Sequence, residues 1–119
     1  MAVDQQHDVV DGTLIVSSRP DGDSWVLSFR GELDLANAAT AEAELSAAMA
    51  RPAGRVVIDI GALEFIDSTG IALLITALHR REGECEVLFV PSHSAAVNRV
   101  LALTGVAERL PLLDGNFLG

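Results

Sequence analysis

The residues best suited to chemistry stand in one short run, Asp67-Ser68-Thr69-Gly70, at the predicted start of an apolar helix. Backbone N–H groups in the first turn of a helix lack internal partners, and the helix dipole leaves a partial positive charge there. A phosphoryl group on Ser68 is therefore locally favoured. Helix capping by Asp67 or Ser68 is the plainer interpretation of the same residues, and the pattern does not choose between the hydroxyls of Ser68 and Thr69.

Enzyme chemistry has little support at this serine. A nucleophile elbow requires glycine two residues before and two residues after the serine, and only Gly70 satisfies that pattern. None of His7, His79 and His93 stands in a recognisable relation to Ser68 that would make it a general base. The glycine-rich loops that bind ATP or dinucleotides are missing from the sequence. We therefore expect no catalytic residue, no cofactor and no enzyme activity, so any phosphate on Ser68 must come from another protein.

A second polar group, Gly31-Glu32-Leu33-Asp34, precedes the first predicted helix. Asp34 is suited to capping that helix, and Gly31 is suited to a bend in the backbone. Taken on their own, these residues indicate structural roles.

Strands that alternate with helices must position these groups. Short β-prone runs at 13–17 and 25–30, joined by turn residues, predict an opening hairpin. The nearly continuous β-branched run 55–60 predicts a central strand with helices on both faces. Further apolar patterns predict helices over 36–50, 68–81 and 94–104 and a strand over 86–90, and residues 110–113 could add an edge strand.

The predicted order is β-β-α-β-α-β-α-(β), in which the alternation after the hairpin requires right-handed crossovers and parallel pairing. We therefore predict a single α/β domain with a mostly parallel mixed sheet of four to five strands and about three helices. A chain of 119 residues fits one domain. The expected boundaries are a flexible N-terminal lead-in over 1–12, the domain over 13–113 and a C-terminal tail over 114–119.

Charge and composition exclude several classes of partner and site. Seventeen acidic residues against eight basic ones give a net charge of −9, which repels phosphate backbones and anionic lipids. We therefore expect no nucleic-acid partner and no membrane insertion. The first residues lack the pattern of a signal peptide, which predicts a cytoplasmic protein. Because Cys85 is the only cysteine, the chain can form neither an internal disulfide nor a Cys-based zinc site, and we expect no metal.

Three segments taken together resemble the STAS family of anti-sigma-factor antagonists, which are bacterial regulators. These segments are Gly31-Glu-Leu-Asp34, Val56-Val-Ile-Asp-Ile60 and Phe65-Ile-Asp-Ser-Thr-Gly-Ile71. Their order and spacing extend the resemblance over about 13–113. The resemblance implies a STAS-like fold and a role in transcription regulation during a stress response.

The resemblance also implies a phosphorylation switch. In the family, the serine that follows the aspartate is phosphorylated by a partner that is both anti-sigma factor and serine kinase, and that serine is here Ser68. The unphosphorylated protein binds the anti-sigma factor and frees the sigma factor, whereas phosphorylation breaks the contact and a PP2C-type phosphatase restores it. Acidic positions of the family's kinase-facing surface match two aspartates, so the resemblance implies a partner-binding set of Asp34, Asp67, Ser68, Thr69 and Gly70.

Two alternatives and one departure accompany the resemblance. A soluble STAS accessory subunit of a membrane lipid transporter is one alternative, and a scaffold in a larger stress-sensing assembly is another. The Asp-Ser-Thr-Gly turn favours the phosphorylation switch over the transporter subunit, and the lack of a sensory region disfavours the scaffold role. Family members usually continue into a final helix, which residues 112–119 do not predict. The loss of that helix could expose part of the sheet to a partner or to a second copy of the chain, so a homo-oligomer is also an expectation.

Overall fold

Six β-strands and three α-helices form the part of the chain that the structure, a computed structural model, describes: residues 6–51, 54–80 and 86–111. The strands are β1 (His7–Asp11), β2 (Leu14–Asp21), β3 (Ser24–Leu33), β4 (Arg55–Asp59), β5 (Leu63–Ile66) and β6 (Glu86–Val90). The helices are α1 (Ala38–Met49), α2 (Ser68–His79) and α3 (Ala95–Leu103), and a short 3₁₀ turn spans Ala107–Arg109.

The strands form one mixed sheet in the order β1-β2-β3-β4-β6, with β5 paired to the end of β3. The strands β1, β2 and β3 run antiparallel, whereas β3 pairs in parallel with β4 and β5, and β4 pairs in parallel with β6. The prediction of a single α/β domain with a mixed sheet and three helices is therefore confirmed. The described sheet has six strands, where the sequence predicted four to five. The strand β5 escaped prediction because its four residues are too few to show a periodic pattern.

The strand β4 lies between β3 and β6, as predicted for the central β-branched run. Its consecutive residues Val56, Val57 and Ile58 are all fully buried, so both faces of the strand are covered. Val56 and Ile58 belong to the main core, which includes the buried faces of α1 and α2, whereas Val57 joins a smaller cluster with Val26. The second face of the sheet is thus buried at this point.

The strand β1 corrects the prediction that residues 1–12 form a flexible lead-in. It pairs with β2, and two side-chain contacts tie it to α1. Thr40 Oγ1 donates to Asp11 Oδ2 at 2.6 Å, and His7 Nε2 lies 2.9 Å from Glu44 Oε1. The sequence concealed this strand because it is short and mostly exposed, and so carries little apolar alternation. The rest of the predicted lead-in before residue 6 lies outside the described residues.

The predicted edge strand over 110–113 is wrong for its first two residues. Leu110 and Pro111 belong to no strand, and the 3₁₀ turn ends just before them. Pro111 still contacts the sheet, because its carbonyl accepts a hydrogen bond of 2.9 Å from the N–H of Phe89 in β6. Residues 112–119, which include the predicted C-terminal tail, lie outside the described residues.

Candidate functional site

The strand β3 positions the site by changing partners along its length. Its first half, 24–28, pairs with β4, and its last three residues, 31–33, pair with β5. The change occurs at Gly31, which has a φ of +93° and where a Cβ would overlap the carbonyl of Thr13. Glycine meets both conditions at low cost, and the register with β5 shifts between Gly31 and Glu32.

The pairing of β3 with β5 brings the two predicted acidic positions to one edge of the sheet. Leu33 and Ile66 are register partners, and the N–H of Asp67 donates to the carbonyl of Leu33 at 3.2 Å. Because these parallel strands end together, the loop that begins with Asp34 lies beside the start of α2. The edge formed by the carboxyl ends of parallel strands is where α/β folds commonly place functional groups.

Asp67 holds this junction together with both oxygens of its carboxylate. Oδ1 accepts a hydrogen bond from the N–H of Gly70 at 3.0 Å and caps α2. Oδ2 accepts from the N–H of Leu35 at 3.1 Å in the neighbouring loop. Asp67 is therefore the helix cap, a role that the sequence left open between Asp67 and Ser68.

Ser68 is the first residue of α2 and is exposed. Its hydroxyl makes no hydrogen bond with any other described residue, since the capping position is taken by Asp67. Thr69, the adjacent hydroxyl, is partly buried. Ser68 thus presents the more accessible hydroxyl, at a helix N-terminus whose first turn contains no acidic residue.

Gly70 lets the first turn of α2 approach the ends of β3 and β5. A Cβ at this position would lie 2.7 Å from Ile66 Cγ1 and 2.9 Å from Leu33 Cγ. Carbon atoms favour separations of about 3.5–4.0 Å, so either contact would force the helix away from the strands. The role of Gly70 at the site is close packing, together with the N–H that Asp67 binds.

Asn37 braces the loop between β3 and α1, and the sequence prediction missed this residue. Its side chain is 3% exposed; Oδ1 accepts from the N–H of Asp34 at 3.0 Å, and Nδ2 donates to the carbonyl of Glu32 at 2.9 Å. The predicted capping of α1 by Asp34 is wrong, because Asp34 Oδ1 accepts from Ala36 N–H at 3.0 Å and the helix begins at Ala38. Asn37 stands at the N-cap position of α1 but makes no side-chain capping hydrogen bond, so the preference for asparagine before a helix indicated its position and not this role.

Two large apolar side chains on the segments that form the site are exposed. Leu35 follows Asp34 and is 75% exposed, and Phe65 in β5 is 47% exposed. The sequence pattern did not single out either residue, because which face of a strand or loop meets solvent depends on the pairing register.

Two of the three histidines lie away from Ser68 in the described structure. His79 lies at the opposite end of α2, about 16 Å away at a rise of 1.5 Å per residue. His7 contacts Glu44 on α1 instead. No cluster of three or more candidate metal ligands occurs within residues 6–51, 54–80 and 86–111. Among the helices described here, none has the length and apolar character required to cross a membrane.

The sequence is similar to known proteins over most of its length. A family model described as the Mlab STAS domain matches residues 16–114. The candidate anti-sigma factor antagonist BtrV of Bordetella bronchiseptica is 29% identical over 110 residues, which cover 90% of this chain and 83% of BtrV.

Solved structures of anti-sigma factor antagonists are similar in fold. An anti-sigma factor antagonist from Mycobacterium paratuberculosis is 26% identical, with a TM-score of 0.74 over 93% of this chain and 87% of its own. The anti-sigma factor antagonist SpoIIAA in its unphosphorylated form is 16% identical, with a TM-score of 0.62 over 95% of this chain and 91% of SpoIIAA. At that lower identity the likeness concerns the fold alone.

Proposed function

Because the chain belongs to the STAS domain family and is similar to its anti-sigma-factor antagonists, we propose that it is an antagonist switched off by phosphorylation of Ser68. The predicted resemblance is thereby confirmed at the level of the family. In the proposed cycle, the unphosphorylated chain binds an anti-sigma factor that is also a serine kinase, and a sigma factor is released. The expected partners are that kinase and a PP2C-type phosphatase, and the expected location is the bacterial cytoplasm.

The observation that carries the proposal is that Asp67 caps α2, whereas the Ser68 hydroxyl makes no hydrogen bond with any other described residue. Asp67 satisfies the N–H of Gly70 and fixes the start of α2, so the Ser68 hydroxyl is not needed for capping. It is exposed at the positive end of a 12-residue helix dipole. A serine with no structural contact at this position favours modification over a purely structural role.

Charge supplies the physical basis of the switch. A phosphoryl group adds about −1.5 to −2 charges, and on Ser68 it would stand next to Asp67 and one loop away from Asp34. A partner docked here would meet a large local change in potential without any refolding of the chain. Each tenfold loss of affinity corresponds to about 1.4 kcal/mol, so a few kcal/mol would move the partner from mostly bound to mostly free.

A structural relative motivates the same proposal. SpoIIAA of Bacillus is known in both an unphosphorylated and a phosphorylated form. The assignment to Ser68 in this chain depends on the local geometry at the start of α2 and on the position of this serine directly after Asp67.

Phosphorylation by candidate kinases tests the site directly. The purified chain is incubated with anti-sigma-factor kinases and Mg-ATP, and the phosphate is located by mass spectrometry. We expect one phosphate on Ser68 in the wild type, none in Ser68→Ala, and unchanged modification in Thr69→Ala, the matched hydroxyl control. Phosphate on Thr69 alone, or on neither residue with every kinase, contradicts the proposal.

Partner binding tests the consequence of the modification. We expect Ser68→Ala to retain the anti-sigma factor in pull-downs and Ser68→Asp to lose it, because only the second variant places a negative charge at the docking position. Equal retention by both variants would contradict a switch that acts through the charge at Ser68.

A soluble accessory subunit of a membrane lipid transporter is the second candidate function, favoured by the description of the matching family model as the Mlab STAS domain. This role predicts that the tagged chain co-purifies with transporter components from detergent-solubilised membranes. The antagonist role predicts recovery of a kinase from the soluble fraction. Recovery of transporter components by both Ser68→Ala and Ser68→Asp would favour the second candidate.

A further inference from the structure

Two of the four large apolar side chains that are exposed in the described residues belong to the two segments that meet before α2, the loop after β3 and the strand β5. These four are Val10, Leu35, Phe65 and Leu103. Leu35 is 75% exposed and Phe65 is 47% exposed. Single exposed apolar residues are common on protein surfaces, but neighbouring ones next to a functional group often mark an interaction surface.

The register of β3 and β5 explains why Phe65 faces solvent. Glu32 and Phe65 are register partners, whereas the next pair, Leu33 and Ile66, is buried. Side chains alternate between the two faces of a strand, so burial of the second pair directs the first pair outward. The extra β5 residue, Glu64, lies between the paired residues Leu63 and Phe65 and is also exposed.

Leu35 is held at the same edge by the polar network of the site. Its backbone N–H donates to Asp67 Oδ2 at 3.1 Å, and Asp67 follows β5 directly. The loop before it is fixed by Asn37, which bonds the N–H of Asp34 and the carbonyl of Glu32. Leu35 is therefore an exposed side chain on a well-anchored backbone, so little backbone ordering is needed for it to bind a partner.

Acidic residues stand next to both apolar residues in the sequence, since Asp34 precedes Leu35 and Glu64 precedes Phe65. Glu32 and Glu64 are exposed, and Asp34 and Asp67 are partly exposed. The sequence has no Lys or Arg within 31–37 or 62–70, and the nearest cation in the sequence is the exposed Arg30 of β3. A surface with an apolar centre and an acidic border is complementary to an apolar pocket bordered by Lys or Arg.

We propose that Leu35 and Phe65 are the apolar anchors through which this chain docks onto its anti-sigma-factor partner, with Lys or Arg residues of that partner facing the acidic border. This inference rests on the proposed function, which it deepens by naming the contacts that bind. A few central side chains commonly supply most of the energy of an interface. Ser68 follows Asp67 directly and lies two residues after β5, so a partner that binds both segments would desolvate a phosphoryl group there next to an acidic neighbour.

Calorimetry with purified anti-sigma-factor kinases and ADP tests the anchors. We expect Leu35→Ser and Phe65→Ser in the full chain each to weaken binding by about tenfold or more. The matched control is Leu103→Ser, because Leu103 is 77% exposed but lies at the far end of α3; we expect its affinity to stay within about twofold of wild type. Thermal unfolding of all three variants checks that the fold is kept, which the exposure of the residues favours.

The acidic border is tested by association kinetics. The double variant Glu32→Gln, Glu64→Gln keeps the shape of the surface but removes two exposed charges. We expect slower association and a weaker dependence of the association rate on salt, with a smaller change in dissociation, because exposed charges mainly steer encounter.

The outcomes separate this inference from the proposed function. If a kinase phosphorylates Ser68 but binds Leu35→Ser and Phe65→Ser as tightly as wild type, docking through these two residues is contradicted. The phosphorylation switch at Ser68 is then still supported. If these variants lose a partner that leaves Ser68 unmodified, the docking surface is supported and the switch is wrong. If no anti-sigma factor binds the wild-type chain, both are overturned.

Discussion

Asp67 is the residue on which both loops of the site depend, because its two carboxylate oxygens bind N–H groups from different segments. One oxygen caps α2 at Gly70, and the other reaches Leu35 in the loop after β3. The sequence indicated a cap at this position, since Asp before a helix is a recognised signal. The second bond could not be predicted, because it depends on the pairing of β3 with β5.

Substitution of Asp67 should separate these two roles. We expect Asp67→Ala to lower the free energy of unfolding by about 1–2 kcal/mol, as for other N-cap losses. Asp67→Asn has one acceptor oxygen in place of two, so its free energy of unfolding should fall by less than that of Asp67→Ala. Urea unfolding measures both, with Ser68→Ala as the control expected to stay within about 0.5 kcal/mol of wild type. An Asp67→Ala variant as stable as the control would contradict the double role.

The candidate site forms at the end of β3 because this strand has one parallel neighbour at its start and another at its end. Pairing with β4 stops at Ser28, and pairing with β5 starts at Gly31. The sequence predicted both flanking helices and a bend at Gly31, since these have local signals. It did not predict β5, whose existence depends on a partner strand that is distant in the sequence.

Gly31→Ala should be more damaging than the same change at another glycine with positive φ. Gly31 combines a φ of +93° with overlap of a Cβ onto the Thr13 carbonyl, whereas Gly22 has a φ of +62° and open space. We expect Gly22→Ala to lower the free energy of unfolding by about 1 kcal/mol and Gly31→Ala by at least about 2 kcal/mol. Denaturant unfolding compares the two, and equal losses would argue against a steric requirement at Gly31.

The tie between β1 and α1 predicts a local effect on the edge of the sheet. Thr40→Val removes the hydroxyl that binds Asp11, while Thr76→Val removes one that bonds within α2, to Ala72. We expect faster amide hydrogen exchange in β1 for Thr40→Val but not for Thr76→Val, because edge strands open locally when their tertiary contacts are lost. Unchanged exchange in β1 would show that pairing with β2 suffices to hold it.

The single tryptophan, Trp25, lies at the opposite end of β3 from the candidate site. Trp25 is 3% exposed, its Nε1 donates to Ser18 Oγ at 2.8 Å, and the Arg51 guanidinium lies 3.6 Å from its ring centroid. The strand ends at Leu33, eight residues after Trp25. At a rise of about 3.3 Å per residue, these two residues are about 26 Å apart. A charge added at Ser68 is largely screened over such a distance.

Phosphorylation of Ser68 should therefore leave Trp25 fluorescence unchanged. We expect the same emission maximum for the phosphorylated and unphosphorylated chains, because the proposed switch acts through local charge without refolding. Arg51→Ala, which removes the cation beside the ring, is the positive control and should shift the emission. A shift on phosphorylation as large as that of the control would indicate a rearrangement that reaches across the sheet.

The sequence alone determined the features of this protein that have local causes. Apolar residues at helical spacing predicted the three helices, and a short apolar run predicted the strand 86–90. The Asp-Ser-Thr-Gly run marked the start of α2 because capping chemistry acts over a few residues. Only the tertiary structure decided that Asp67 and not Ser68 caps the helix, and that Leu35 and Phe65 face solvent. The reason is that these features depend on the register between β3 and β5, which is a contact between distant segments.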